Sequence, residues 1–165
     1  MITAVFPTFF GAVRVRCDTT AIWQVDLMAP GTEYTPPPEI PLIQKFHAWL
    51  NAYETRDFQP MDLPLHLEMV PAFSRRVLVS LADICPGRTL TYAELGRRLG
   101  LFHHARAIGQ VMARNPWPLL LPCHRVVAAQ GQGGFGPGPA MKRALLEHES
   151  GNRFFRELTI PGTSE

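Results

Sequence analysis

The sequence predicts an α/β protein of the α+β kind, in which a small unit of strands and one helix precedes a mostly helical unit. Two periodicities and a charge asymmetry predict it. Apolar and polar residues alternate through AVRVRC (12–17) and AIWQVDLM (21–28), the two-residue repeat of half-buried strands. From Leu42 onward apolar residues recur every three to four positions, the repeat of amphipathic helices. Charge turns over along the chain as well: residues 1–74 carry four cations against eight anions, and residues 75–165 carry twelve against six. The predicted domains are 1–70 and 71–165.

Each element has its own signal. DTT (18–20) separates the two alternating runs and predicts a hairpin. APGTEYTPPPEIP (29–41) is too rich in proline for regular structure. Leu42, Phe46, Trp49, Leu50 and Tyr53 mark a helix, and QPMDLPLHL (59–67) reads as an extended connection. Phe73, Val77, Leu78, Leu81 and Ile84 mark a second helix that ends at Pro86-Gly87. In TYAELGRRLG (91–100) Thr91 can cap a helix, Glu94 stands three residues on as in a capping box, and Gly100 stops it. HHARAIGQVMARN (103–115) makes a further helix before Pro116.

Bulk composition narrows the class. With 165 residues, 46% of them apolar and 18% charged, the chain can bury a core and is too apolar for disorder. The opening MITAVFPTFFGAVRVRC has no run long enough to span a bilayer and lacks a signal-peptide pattern, which predicts a cytosolic protein. Cys17, Cys85 and Cys123 show no paired spacing, and His47 and His66 have no partners at ligand spacing, so neither a disulfide framework nor a metal site is predicted. Eleven of the twelve later cations are arginine, which suits an anionic partner such as nucleic acid.

The two helices at 91–100 and 103–115 resemble a helix-turn-helix, although many such pairs only pack on each other. Ala105, Ala107, Gly109 and Ala113 give the second helix a small-residue surface with Arg106 projecting among them. Such a surface suits close approach to a narrow groove, and equally suits close helix packing.

Chemistry concentrates in LLLPCHRVVAAQGQGGFG (119–136). A buried-looking LLLP strand runs into Cys123, His124 and Arg125, and GQGGFGPGP (131–139) follows where backbone must pass close to something. A thiol of ordinary pKa is only a few per cent ionised at neutral pH, so a cysteine nucleophile needs a base that is itself held by a third group. Glu149, near the end of the helix 141–149, could supply that third group.

The segment Pro122-Cys123-His124-Arg125-Val126, with Asn115-Pro116 before it and LLEHE (145–149) after the glycine-rich loop, resembles the O6-alkylguanine-DNA alkyltransferases, also called methylated-DNA–protein-cysteine methyltransferases. The likeness runs through DFQPMDLPL (57–65), PAFSRRVLVSLADICPGRTLTYAELGRRLG (71–100) and ARAIGQVMARNPWPLLLPCHRVV (105–127), and is loose over the N-terminal part. It implies an RNase H-like N-terminal domain and a C-terminal domain with a winged helix-turn-helix. The implied partner is double-stranded DNA carrying an alkylated guanine, bound through its minor groove by a monomer with the damaged base flipped out.

The resemblance also implies roles. Cys123 matches the alkyl acceptor, His124 the base acting through a water, Glu149 the carboxylate that holds it, and Asn115 the link between helix-turn-helix and reactive segment. Tyr92 matches the tyrosine that rotates a phosphate, and Arg106 the arginine that fills the place of the expelled base. Ala105, Ala107, Gly109, Gln110, Arg114 and Arg125 fall on the implied DNA-binding surface. Met112, Val126, Phe135, Gly136 and Lys142 fall around the guanine pocket, with a phosphate contact as the alternative for Lys142. No cofactor is implied, because the damaged base already carries the electrophile.

Several positions depart from the family pattern. Phe135 stands where tyrosine is usual, removing a donor to guanine O6 worth about 1.5–3 kcal/mol. Gly136 replaces a common serine, Pro137 interrupts a glycine-rich run, and His104 and Gln110 are bulky for a DNA-facing helix. Two other classes stay open: a lesion-binding protein that holds alkylguanine without transfer, and a cysteine hydrolase, for which adjacent Cys and His are awkwardly placed. The tail RFFRELTIPGTSE (153–165) carries Phe154 and Phe155, apolar enough to dock on the body.

Overall fold

The structure is a computed structural model that describes residues 1–151. The tail 153–165, with Phe154 and Phe155, lies outside the described residues. The chain forms two compact units, one of Met1–Val70 with Pro116–Leu120, the other of Pro71–Asn115 with the chain from Leu121 onward. The segment 116–120, which sequence reading leaves with the helical half, thus belongs to the first unit.

In the first unit an antiparallel sheet runs in the order β1 (Ile2–Thr8), β2 (Gly11–Cys17), β3 (Ile22–Met28). The expected hairpin is β2–β3, with Val15 opposite Val25 and a bulge between Arg16 and Cys17. Its turn is built by one carboxylate: Asp18 Oδ1 accepts the Thr20 N–H at 2.7 Å and the Ala21 N–H at 2.9 Å, the local bonding that favours Asp in turns. Strand β1 carries no alternation to read, because Ala4, Val5 and Phe6 are buried in succession. Its neighbour on the other side of the residue order is the helix α1 (Pro41–Glu54), which buries Leu42, Ile43, Phe46, Leu50 and Tyr53 and sets Phe46 5.8 Å from Phe6 between ring centroids.

Strand β3 would leave an open edge, a row of unpaired backbone groups. Two extended pieces cover it. The Ile22 N–H donates to the Pro64 carbonyl at 2.8 Å, and the Val25 N–H donates to the Pro116 carbonyl at 2.9 Å. Trp117 is fully buried here, its indole N–H donating to the Ile22 carbonyl at 3.0 Å. That contact accounts for the 116–120 excursion: a large apolar ring with one donor satisfies both halves of its chemistry at this edge.

The second unit contains α2 (Ala72–Ser80), α3 (Tyr92–Arg98), α4 (Ala105–Ala113) and α5 (Pro139–Ser150). The capping box reads as expected: the Glu94 N–H donates to Thr91 Oγ1 at 3.1 Å, and the Thr91 N–H donates to Glu94 Oε2 at 2.7 Å. Helices α3 and α4 meet at Gly96, where a Cβ would lie 3.0 Å from the Leu101 carbonyl oxygen. A short parallel pair, β4 (Leu90–Thr91) against β5 (Val126–Val127), ties the start of α3 to the residues just after Cys123.

The expected LLLP strand does not form. Leu119, Leu120 and Leu121 are all buried, but Leu119 adopts a left-handed φ of 74°, outside the extended region that a strand requires. Pro116 and Pro118 also remove ladder donors. The segment turns instead.

Because the capping box fixes the end of α3 that carries Tyr92, Thr91→Ala is expected to cost about 1 kcal/mol. The check is a lower urea midpoint with an unchanged m-value.

Candidate active site

Cys123 is presented by a tight turn. The Cys123 N–H donates to the Leu121 carbonyl at 2.8 Å about Pro122 (φ −79°, ψ 74°), the geometry of an inverse γ-turn. A single 3₁₀ turn, Cys123–Arg125, follows and leads into β5. The chain leaves the second unit at Asn115 and returns at Leu121, and the Asn115 side-chain N–H donates to the Leu121 carbonyl at 2.7 Å. Asn115 therefore clasps the base of that excursion and fixes the approach to Cys123.

His124, Arg125 and Glu149 are buried together with Cys123. His124 Nε2 lies 2.6 Å from Glu149 Oε1. Arg125 forks onto the same carboxylate, with Nε 2.8 Å from Oε2 and one terminal nitrogen 2.9 Å from Oε1, while the other terminal nitrogen donates to the Ile84 carbonyl at 2.5 Å. Burial by itself would raise the Glu149 pKa; the facing His124 and Arg125 outweigh it and hold the carboxyl well below its usual range. An ionised carboxylate only accepts, so Nε2 of His124 carries the proton and a neutral ring keeps Nδ1 as its acceptor. Nδ1 is buried and has no hydrogen-bond partner among the described residues.

Burial pushes the Cys123 thiol up. A hydrogen bond from Asn115, the charge of Lys142 and the main-chain N–H groups of Cys123 and His124 act the other way. Lys142 is wholly buried, donating to the Val126 carbonyl at 2.7 Å and the Gly134 carbonyl at 3.2 Å. Burial pulls its ammonium down to about 8, with the Cys123 sulfur working against that shift. One cation thus braces the glycine-rich loop and sets positive charge near the sulfur.

The loop does pass close to something. A Cβ at Gly133 (φ 75°) would sit 3.1 Å from the Ala128 nitrogen and 3.2 Å from the Tyr92 hydroxyl oxygen. Tyr92 is half-buried, and burial, then the Cys123 sulfur, raises its hydroxyl pKa. Phe135 is half-buried with its ring 6.5 Å from the His124 ring, edge to face. Gly136 is exposed beside it, and Met112 and Val126 are buried.

Helix α4 buries Ile108, Val111 and Met112 and turns Ala105, Arg106, Gln110, Ala113 and Arg114 outward, with Ala107 and Gly109 half-covered. A Cβ at Gly109 would meet nothing within 4 Å, so helix packing does not require this glycine. Gly96 performs that role instead.

A family model described as "6-O-methylguanine DNA methyltransferase, DNA binding domain" matches residues 72–151. The methylated-DNA–protein-cysteine methyltransferase of Methanocaldococcus jannaschii is 44% identical over 80 residues, 48% of this chain and 47% of that protein. The protein of that name from Mycobacterium bovis is 40% identical over 112 residues, 67% of each. The chain belongs to the methylated-DNA–protein-cysteine methyltransferase family. The match spans about half the length of the first of these relatives and two thirds of the second. Among solved structures, Mycobacterium tuberculosis O6-methylguanine methyltransferase is similar with a TM-score of 0.78 at 28% identity, covering 91% of this chain and 93% of that one. Mycobacterium tuberculosis OGT in complex with DNA gives 0.78 at 30% identity, covering 89% and 91%.

For a methyltransferase of this family, two expectations need correction. Arg125 does not reach a DNA surface; it is buried and spent on Glu149 and the Ile84 carbonyl. Lys142 is no phosphate contact, since its ammonium is enclosed and supports the loop from within. Neither was legible in the sequence: a basic residue carries no mark of the side it faces.

Two outcomes follow from this charge arrangement. The depressed Glu149 pKa means its stabilisation is complete above its ordinary value of 4.5 and lost as the pH falls below it. Glu149→Gln should therefore cost about 3–5 kcal/mol near pH 7, where Arg125 is left buried without its counter-charge, with the gap to the parent protein narrowing in acid urea titrations. Lys142→Met should slow iodoacetamide alkylation at Cys123 about tenfold at pH 7, below the ammonium's value of about 8, because the lost charge costs the thiolate roughly one pH unit. Peptide-resolved mass spectrometry keeps the exposed Cys85 out of that measurement.

Proposed function

We propose that this protein repairs DNA by moving the alkyl group of O6-alkylguanine irreversibly onto Cys123, once per molecule. The observation that carries the reading is the buried Cys123 followed directly by His124, whose Nε2 is fixed 2.6 Å from Glu149. The names of the relatives and the DNA complex among the similar structures support DNA as the partner.

In the resting state burial favours the neutral thiol, so attack requires the proton to leave as substrate arrives. Nδ1 of His124 is the free acceptor; it takes the thiol proton through a bridging water, and Glu149 stabilises the imidazolium that forms. The thiolate then attacks the alkyl carbon in line with the carbon–O6 bond. That bond's electron pair leaves on O6, the proton passes to the departing guanine, and the products are S-alkylcysteine and guanine. The thioether persists because neither water nor histidine readily displaces a thiolate from carbon.

On this reading residues 1–70 form an RNase H-like domain, and 71–165 a domain in which α3 and α4 act as a winged helix-turn-helix. The outward face of α4 enters the minor groove, where Ala105, Ala107 and Gly109 let the helix approach closely. Arg106 occupies the stack vacated by the flipped nucleotide, and Tyr92 turns its phosphate outward. Flipping costs a few kcal/mol and is cheapest for a weakly paired damaged base. Met112, Phe135 and Gly136 border the pocket for the extruded guanine. The phenyl ring of Phe135 supplies a wall without a donor, so rate rests more heavily on His124.

Incubation with a duplex containing O6-methylguanine should add the mass of one CH₂ to the Cys123 peptide, saturating at one equivalent. His124→Ala should slow that transfer by roughly a hundredfold or more, the usual scale of a lost general base. An unmodified Cys123 peptide in correctly folded protein would overturn the reading.

A further inference from the structure

The turn between α3 and α4 holds a feature that the reaction as described leaves unused. Phe102 is 59% exposed, a bare phenyl ring in the middle of the second unit. It does not sit on a loose loop. The Leu101 N–H donates to the Gly96 carbonyl at 2.8 Å, His104 Nδ1 donates to the Phe102 carbonyl at 2.7 Å, and the intervening His103 takes a left-handed φ of 66°. These bonds hold Phe102 in a defined place on the turn.

The same turn borders a cavity of about 310 Å³, whose walls include Tyr92, Ala93, Arg97, Phe102, His103 and Ala105. Its ionisable lining is Arg97, His103 and the Tyr92 hydroxyl, with no carboxylate. The nearest acidic residue of α3, Glu94, is already engaged by the Thr91 N–H. One arginine and the donor groups of His103 and Tyr92 around an apolar floor match a sugar-phosphate chain, which alternates an anionic oxygen cluster with an apolar deoxyribose face. Tyr92 and Ala105 make the cavity continuous with the outward face of α4.

We propose that this cavity seats the backbone of duplex DNA beside the everted nucleotide, with Phe102 laid against a deoxyribose and Arg97 and His103 against the flanking phosphates. The proposal rests on the DNA-repair reading and deepens it. It makes Phe102 a positioning residue that raises affinity for duplex without touching the reacting atoms. The phenyl contact is apolar and so insensitive to salt, whereas Arg97 acts through displaced counterions.

The test compares the parent protein, Phe102→Ala, Phe102→Tyr and Arg97→Gln by fluorescence anisotropy on an unmodified labelled duplex, over a series of salt concentrations. In parallel, each reacts with free O6-benzylguanine base, which needs no DNA. Phe102→Ala should weaken duplex binding about fivefold to tenfold, the scale of partly burying one phenyl ring, with an unchanged salt slope. Phe102→Tyr should restore binding, and Arg97→Gln should lower the salt slope by about one. All three should react with the free base at the parent rate. Duplex binding by Phe102→Ala at parental affinity overturns the proposal, as does an equal loss toward the free base. If the parent protein binds duplex but forms no adduct with either substrate, the alkyl-transfer reading fails on its own, and the anisotropy series still decides the role of Phe102.

Discussion

A single buried carboxylate organises the reactive half of this molecule. Glu149 collects the imidazole of His124 and the guanidinium fork of Arg125 on its two oxygens, all three enclosed by protein. Placing that charge out of water is costly, and the cost is met only because both partners arrive with near-ideal geometry. The consequences spread from there. Arg125 reaches on to the Ile84 carbonyl, so the 3₁₀ turn Leu81–Asp83 that follows α2, the cysteine turn and α5 are joined through one polar cluster. The ring of His124 has its tautomer fixed, which leaves Nδ1 as the one basic atom with no protein partner in that cluster among the described residues.

A second buried ion complements the first. Lys142 lies on the same helix as Glu149, two turns earlier, and holds the glycine-rich loop by two carbonyls. The helix therefore delivers a negative charge to the histidine and a positive charge to the loop and sulfur. Burial raises the thiol and lowers the ammonium, while their mutual attraction opposes both shifts. Such opposed tuning suits a sulfur that stays protonated at rest and ionises only when a substrate fills the site.

The surface around this centre is built by complementary means. Helix α4 commits its large residues inward, leaving alanines, a glycine and arginines outside. The capping box at Thr91 and the β4–β5 pairing hold Tyr92 at the rim of the same region. In the first unit, Asp18 binds its own turn and also lies 2.7 Å from His66 Nε2, while Glu68 faces the other ring nitrogen at 2.6 Å. Histidine 66 thus has structural partners brought together by the fold, although none stands at ligand spacing in the sequence.

Local patterns determined much of this by themselves. The hairpin, the helix α1, the Thr91–Glu94 cap and the inward stripe of α4 each follow from interactions within a few residues, so their signals survive in linear sequence. The PCHRV segment with its flanking asparagine and glutamate likewise marks the chemistry and the family. Tertiary structure decided what those signals leave open. Strand β1 is buried along consecutive residues and so shows no alternation, the LLLP run turns where Leu119 takes a left-handed φ between Pro118 and Pro122, and Trp117 draws residues 116–120 into the first unit. The inward placement of Arg125 and Lys142 was equally undetermined, because a charged side chain turns into the core only when partners distant in sequence are there to meet it, and such partners exist only once the chain has folded.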